Sequence, residues 1–141
     1  MVMRSSDAEW RGNLQSGGGT MRLGSGAFEG KYSFPSRFES GQGTNPEELI
    51  AAAHAGCYSM AFSHGLSQAG HTPTRVHTTA RVHLEKVGEG FAITRIELDC
   101  EAEVPGIDEA TFKQQAEGAK KNCPVSKALA GTEITLNARL V

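Results

Sequence analysis

Polar and apolar positions follow different periods in different parts of the chain. From Arg75 to Lys86, the residues Val76, Thr78, Ala80, Val82 and Leu84 fall on one face and Arg75, His77, Thr79, Arg81, His83 and Glu85 on the other, which is the alternation of a half-buried strand. Gly88-Glu89-Gly90 marks a turn. Alternation resumes over Phe91 to Val104, with Ala92, Thr94, Ile96, Leu98, Cys100, Ala102 and Val104 on the apolar face, so the two stretches predict a long antiparallel hairpin.

Leu49 to Thr74 has another character, because it contains no Asp, Glu, Lys or Arg. Before it stand Asn45, a good N-cap, Pro46 at the first helical position, and Glu47 and Glu48 at the positive end of the dipole, with Gly70 as a stop; these signals predict a helix over about 46–68. On such a helix Ile50, Ala53, Met60, Ala61 and His64 surround Cys57, and the opposite side, with Ala52, Phe62 and Leu66, is apolar too. A helix apolar nearly all round is either central to a folded structure or spans a membrane. Ser59, Ser63, His64, Ser67 and Gln68 interrupt it, which leaves it short of the roughly 20 predominantly apolar residues of a span. A buried central helix is the expectation, with no membrane as partner.

Asp108 predicts the cap of a second helix through about Lys121, Cys123-Pro124 the start of a third through Ala130, and Thr132 to Val141 a closing strand. At the other end, the first 45 residues hold nine of the 17 glycines, separated by short runs such as Thr20 to Leu23 and Lys31 to Phe34. These read as short strands joined by turns. With so few large apolar side chains, the segment cannot form its own core; it rests on the rest of the chain or on a second copy, or forms a flexible arm. The expected fold class is α+β, antiparallel sheets around a long central helix, in one domain over 1–141.

Composition narrows the classes further. Of 141 residues, 38% are hydrophobic and 21% charged, as in an ordinary globular domain, which excludes a disordered or fibrous protein. The net charge of −2 provides no basic field for a phosphate backbone, so no nucleic acid partner is expected. The N-terminus has no apolar run of secretory length, and three cysteines, Cys57, Cys100 and Cys123, are odd in number. Both points suit a reducing compartment, and a cytoplasmic location follows as the expectation.

The cysteines also carry the candidate chemistry. Cys57 and Cys100 lie on apolar faces, where a free cysteine is ordinarily structural. Cys123 directly precedes Pro124 at a predicted helix start, where a thiolate is favoured. For Cys57 to react in an apolar setting, a nearby cation must lower its pKa. Arg37, flanked in Phe34-Pro35-Ser36-Arg37-Phe38 by two aromatics and a proline, is the best candidate, and Glu47 the candidate to orient it by a bidentate pair. Ten residues separate Glu47 from Cys57, about 15 Å of helix rise. One arginine cannot easily serve both, so either the helix breaks or different subunits supply the two residues. His54 and His64 flank Cys57 at helical spacing, which leaves a Cys-His pair or a metal-dependent hydrolase as alternatives. No phosphate loop, dinucleotide fingerprint or CxxC motif occurs, and no cofactor is expected.

The block TNPEELIAAAHAGCYSMA, the later NCPVSKAL and the upstream FPSRFE resemble the OsmC branch of the OsmC and organic hydroperoxide resistance family. The resemblance runs from Ala8-Glu9-Trp10 to the closing strand. It implies an intertwined α+β homodimer that acts as a thiol peroxidase on organic hydroperoxides, and less effectively on hydrogen peroxide, under oxidative or osmotic stress. Cys57 would then be the peroxidatic cysteine, Cys123 the resolving cysteine, Arg37 the thiolate-activating cation and Glu47 its partner. An external dithiol, of the lipoyl type in related enzymes, would complete the cycle. Ile50, Met60, Ala61 and Phe62 are expected to line the site and favour an organic tail. Gly56 stands where the family often has alanine, and Cys100 has no place in the pattern. A relative that sequesters hydrophobic molecules is the competing reading.

Overall fold

The glycine-rich N-terminal segment folds into three short antiparallel strands in the computed structural model, which describes residues 1–141. These are β1 (Ser6–Arg11), β2 (Gly18–Leu23) and β3 (Glu29–Tyr32), in the order β1-β2-β3. Trp10, Gly19 and Tyr32 lie opposite one another across the sheet. A Cβ on Gly19 would come within 2.5 Å of the Tyr32 ring and 2.8 Å of the Trp10 ring. Glycine there lets the two rings meet at 5.3 Å between centroids.

The strand expected through Phe34 ends at Tyr32, because Ser33 caps a short helix, α1 (Phe34–Phe38). Ser33 Oγ accepts from the Ser36 N–H at 3.3 Å and Ser36 Oγ from the Ser33 N–H at 2.8 Å, a reciprocal cap that outcompetes strand pairing. The Ser36 hydroxyl also donates to the Thr44 carbonyl at 2.7 Å, and the Asn45 amide to the Ser36 carbonyl at 3.0 Å. Asn45 then caps α2 (Pro46–Gln68), accepting from the Glu48 N–H at 2.8 Å. The helix ends just before Gly70, whose φ of +90° suits only glycine without strain.

The chain divides into two units, Met1–Leu49 and Ile50–Val141. In the first, the buried residues are Ser36, Thr44 and Glu47, all polar. The second holds the apolar core. Its sheet has the order β4-β5-β6, with β4 (Arg75–Val87), β5 (Gly90–Glu103) and β6 (Glu133–Leu140). Between β5 and β6 the chain forms α3 (Glu109–Asn122), capped by Asp108, and α4 (Pro124–Ala128). Tyr58, Phe62 and Leu66 of α2 and Phe112, Ala116 and Ala119 of α3 pack with Ile96, Leu98, Cys100 and Ala102 of β5 in one cluster.

Three expectations change. The second sheet is mixed, since β6 pairs with β5 in parallel; the intervening helices bring the chain back to start β6 beside Arg95. The hairpin contains an irregularity at His83/Leu84, so Ile93, not Thr94, packs against the core. An extra residue in one strand reverses which face each following side chain occupies, and Thr94 instead donates to Glu85 at 2.7 Å. Finally, within one chain α2 is buried on one side only: His54, Tyr58, Phe62 and Leu66 are buried, while Ala52, Ala53, Gly56, Met60 and His64 are exposed.

Candidate active site

Cys57 sits mid-way along α2, one residue before Tyr58, whose ring is fully buried and whose hydroxyl donates to the Ala116 carbonyl of α3 at 3.1 Å. That contact fixes α2 against α3. Cys123 closes α3, its N–H bonded to the Ala119 carbonyl at 2.9 Å. Pro124, which has no N–H to extend α3, begins α4. The corner so formed brings the Cys123 sulfur to 2.8 Å from the Cys57 sulfur. Cys123 is fully buried and Cys57 half-buried, and both are free thiols.

The two sulfurs titrate as a pair. Burial raises the Cys57 thiol, and the adjoining Cys123 sulfur raises it further, against the pull of the Val125 N–H. Burial acts on Cys123 in the same direction but is outweighed, so that its thiol is held below the ordinary value. Cys57 and the donors at the start of α4, the Ser126 N–H and hydroxyl and the Val125 N–H, lower it. The Cys123 side chain makes no cap bond at the start of α4. Cys57 thus carries the requirement that its sequence setting predicts: a cation must be brought to it before it can act as a thiolate at neutral pH.

Arg37 and Glu47 form the second pair. Arg37 Nε donates to Glu47 Oε1 at 3.0 Å and Nη2 to Oε2 at 2.9 Å. This is the bidentate geometry that makes an arginine fork specific for a carboxylate. The Glu47 side chain is 9% exposed and that of Arg37 36%, so the carboxylate is buried under a cation that keeps one edge open. The guanidinium stands 5.3 Å from the centre of the Phe38 ring, and Phe38 packs on Phe34 at 4.9 Å. Trp10, Leu14, Tyr32, Phe34 and Phe38 line a cleft of about 280 Å³ with Arg37 at its edge. Helix α2 is unbroken from Pro46 to Gln68, so the expected alternative of a break between Glu47 and Cys57, ten residues apart, does not occur.

Other expected roles are redrawn. Phe62 is fully buried in the core, with Ile50 and Ala61 packed against it, and Met60 is 77% exposed. These residues therefore form no common lining, because consecutive positions on a helix face different directions. His54 pairs with Ser126, its Nε2 2.7 Å from the hydroxyl. No group of three or more His, Cys, Asp or Glu side chains is arranged to hold a metal, and the His54-Cys57-His64 site does not form. Cys100 is buried on β5, where desolvation raises its thiol. The residue missed by sequence reasoning is Ser126. The spacing His54-x-x-Cys57 and Cys123-x-x-Ser126 places each pair on one helical side, a signal that gains meaning only once the cysteines are seen to meet.

A family model described as OsmC-like protein matches residues 39–138. The chain belongs to the OsmC family. It is 50% identical over 140 residues to the protein named peroxiredoxin OsmC of Escherichia coli, covering 99% of this chain and 97% of that one. It is 32% identical over 114 residues to an organic hydroperoxide resistance protein of Xanthomonas axonopodis pv. citri, 78% of each. The fold matches solved OsmC-like structures. An OsmC-like protein of unknown function from Vibrio cholerae has a TM-score of 0.77 at 17% identity, covering 98% of this chain and 99% of that one. The organic hydroperoxide resistance protein OhrB of Bacillus subtilis has a TM-score of 0.70 at 22% identity, covering 97% and 98%. The family's α+β fold is thus that of this chain. No helix is long and apolar enough to cross a membrane.

Proposed function

We propose that the chain is a cysteine-dependent peroxidase that reduces organic hydroperoxides to alcohols, and hydrogen peroxide less effectively, in the response to oxidative or osmotic stress. The observation that carries this reading is the Cys57–Cys123 pair, with sulfurs 2.8 Å apart. The Cys57 thiolate attacks the terminal peroxide oxygen; the O–O bond breaks, the alkoxide leaves and takes a proton as the alcohol, and Cys57 becomes a sulfenic acid. The Cys123 thiolate attacks the Cys57 sulfur, an S–S bond forms, and hydroxide leaves to be protonated as water. Closing the disulfide protects Cys57 from further oxidation, and an external dithiol, of the lipoyl type, returns both thiols.

Arg37, oriented by Glu47, is the cation that lowers the Cys57 pKa and stabilises charge on the departing oxygen. The partner subunit of a homodimer supplies it. Two observations support that arrangement: α2 is unbroken, and its side bearing Ala52, Ala53, Gly56 and Met60 is exposed in the single chain and carries no charge. Burying such a face against a second copy removes apolar area from water at roughly 25 cal/mol per Å². The aromatic cleft beside Arg37 would take the organic tail. The two units act as one functional domain, and the free thiols suit the cytoplasm.

Intact mass after one equivalent of cumene hydroperoxide tests the reading. Wild type should lose two hydrogens, Cys123→Ser should gain one oxygen, and Cys57→Ser should not change. A wild type that stays reduced while hydroperoxide persists would overturn it in favour of a hydrophobic-ligand carrier. Light scattering that gave a stable monomer at micromolar concentration would remove the partner's Arg37 from the site.

A further inference from the structure

His54 is the one buried polar residue of α2 in the second unit, and its surroundings are asymmetric. The ring is fully buried; Nε2 lies 2.7 Å from the Ser126 hydroxyl, and Nδ1 has no hydrogen-bond partner. Burial lowers the His54 pKa, so at neutral pH the ring is uncharged and carries one proton. A buried N–H without a partner is costly, which places that proton on Nε2, facing Ser126, and leaves Nδ1 as a bare lone pair. Ser126 Oγ accepts from the ring and keeps its own proton to donate elsewhere. Ser126 stands in the first turn of α4, three residues after Cys123, the N-cap residue of that helix, and its presence lowers the Cys123 thiol.

The result is a run of neighbours inside one unit: His54 on Ser126 at 2.7 Å, Ser126 one turn of α4 beyond Cys123, and Cys123 on Cys57 at 2.8 Å. It starts and ends on α2, because His54 and Cys57 are three residues apart on that helix. Resting on the peroxidase reading for its role in catalysis, we propose that His54 is a positioning residue for the resolving step: it fixes the Ser126 hydroxyl as a donor to Cys123, so that Cys123 attacks as a thiolate. The step balances without any further reactant. Cys123 gives up its proton and is oxidised, the Cys57 sulfenic sulfur is reduced, the S–O bond breaks as the S–S bond forms, and the hydroxide takes a proton to leave as water. His54 itself stays neutral throughout. Cys57 and Tyr58, both from α2, also face the Cys123 sulfur, and burial raises the Tyr58 hydroxyl far enough to keep it protonated.

Two readouts test the assignment. Stopped-flow mixing with cumene hydroperoxide separates hydroperoxide consumption from disulfide closure. Ser126→Ala and His54→Leu should slow closure by about tenfold while leaving consumption within about twofold, as expected for loss of a hydrogen bond to a charged group. Ser126→Thr, which keeps the hydroxyl, should restore it. In the Cys57→Ser background, the pH midpoint for iodoacetamide alkylation of Cys123, read by peptide mass, should rise in Ser126→Ala and His54→Leu and return in Ser126→Thr. An unchanged midpoint in Ser126→Ala would overturn the proposal, as would equal slowing of both steps with a lowered melting temperature. The alkylation series needs no hydroperoxide. If wild type proved inert to hydroperoxide, the peroxidase reading would fail, and the midpoint would still decide whether His54 and Ser126 tune Cys123.

Discussion

Met1–Leu49 buries Ser36, Thr44 and Glu47, whereas Ile50–Val141 buries Tyr58, Phe62, Leu66, Ile96, Leu98 and Phe112. The first unit is organised by hydrogen bonds that chain Ser33, Ser36, Thr44 and Asn45 together and present Arg37 to Glu47. The second is organised by packing, and it holds two sulfurs at the junction of three helices. Hydrogen bonds contribute little net stability but fix direction, while apolar burial stabilises without direction. The Arg37 fork is accordingly aimed by its two hydrogen bonds to Glu47, and the two thiols lie beside a core.

If this contrast is right, substitutions in the two units should fail differently. Phe62→Ala, which empties a fully buried aromatic site, should lower the unfolding free energy by about 3–5 kcal/mol, measured by urea denaturation of the reduced protein. Arg37→Lys keeps a positive charge beside Glu47 but loses the fork, and should lower the hydroperoxide rate constant about 100-fold. Its urea midpoint should stay near that of wild type; a large shift there would show that the first unit is held by the pair rather than using it.

Smaller effects bear on α2 and α3. Gly56→Ala meets nothing within 4 Å and should raise the unfolding free energy by up to about 1 kcal/mol; a dimer that fell apart on this change would mean the face is packed more closely than a methyl group allows. The least effect is expected at Asp108. The Thr111 hydroxyl and N–H hold its carboxyl below the ordinary value of 3.8. A pKa lower in the folded than in the unfolded state stabilises above the unfolded value and is lost as pH falls through the folded one. Thermal melts of Asp108→Ala should therefore be less stable than wild type at neutral pH and converge with it below the folded pKa.

Much of this was legible along the chain. Asn45-Pro46 with two glutamates set the start of α2, Asp108 that of α3, and Pro124 the break between α3 and α4, because caps and prolines act through neighbouring backbone groups. An arginine held between aromatics and a carboxylate in a first helical turn made Arg37 and Glu47 candidates for a bidentate pair, and the pair forms. The motifs around Cys57 and Cys123 pointed to the family. Other features were not legible. Helical period placed Ile50, Met60, Ala61 and Phe62 near Cys57, but which of these faces are filled by β5 and α3 is a property of the packed unit, and it sent Phe62 to the core and Met60 to the surface. The irregularity at His83/Leu84 inverted the assignment of Thr94 and Ile93 through one residue of register.

Local signals thus settled α2, α3, α4, the hairpin and the caps, since each depends on groups within a few positions of one another. The meeting of Cys57 with Cys123, 66 residues apart, and of His54 with Ser126, 72 apart, came from the packing of α2 against α3 and α4. Those contacts depend on how Tyr58, Phe62 and Phe112 fill one core, and apolar burial has no direction that a sequence pattern can record.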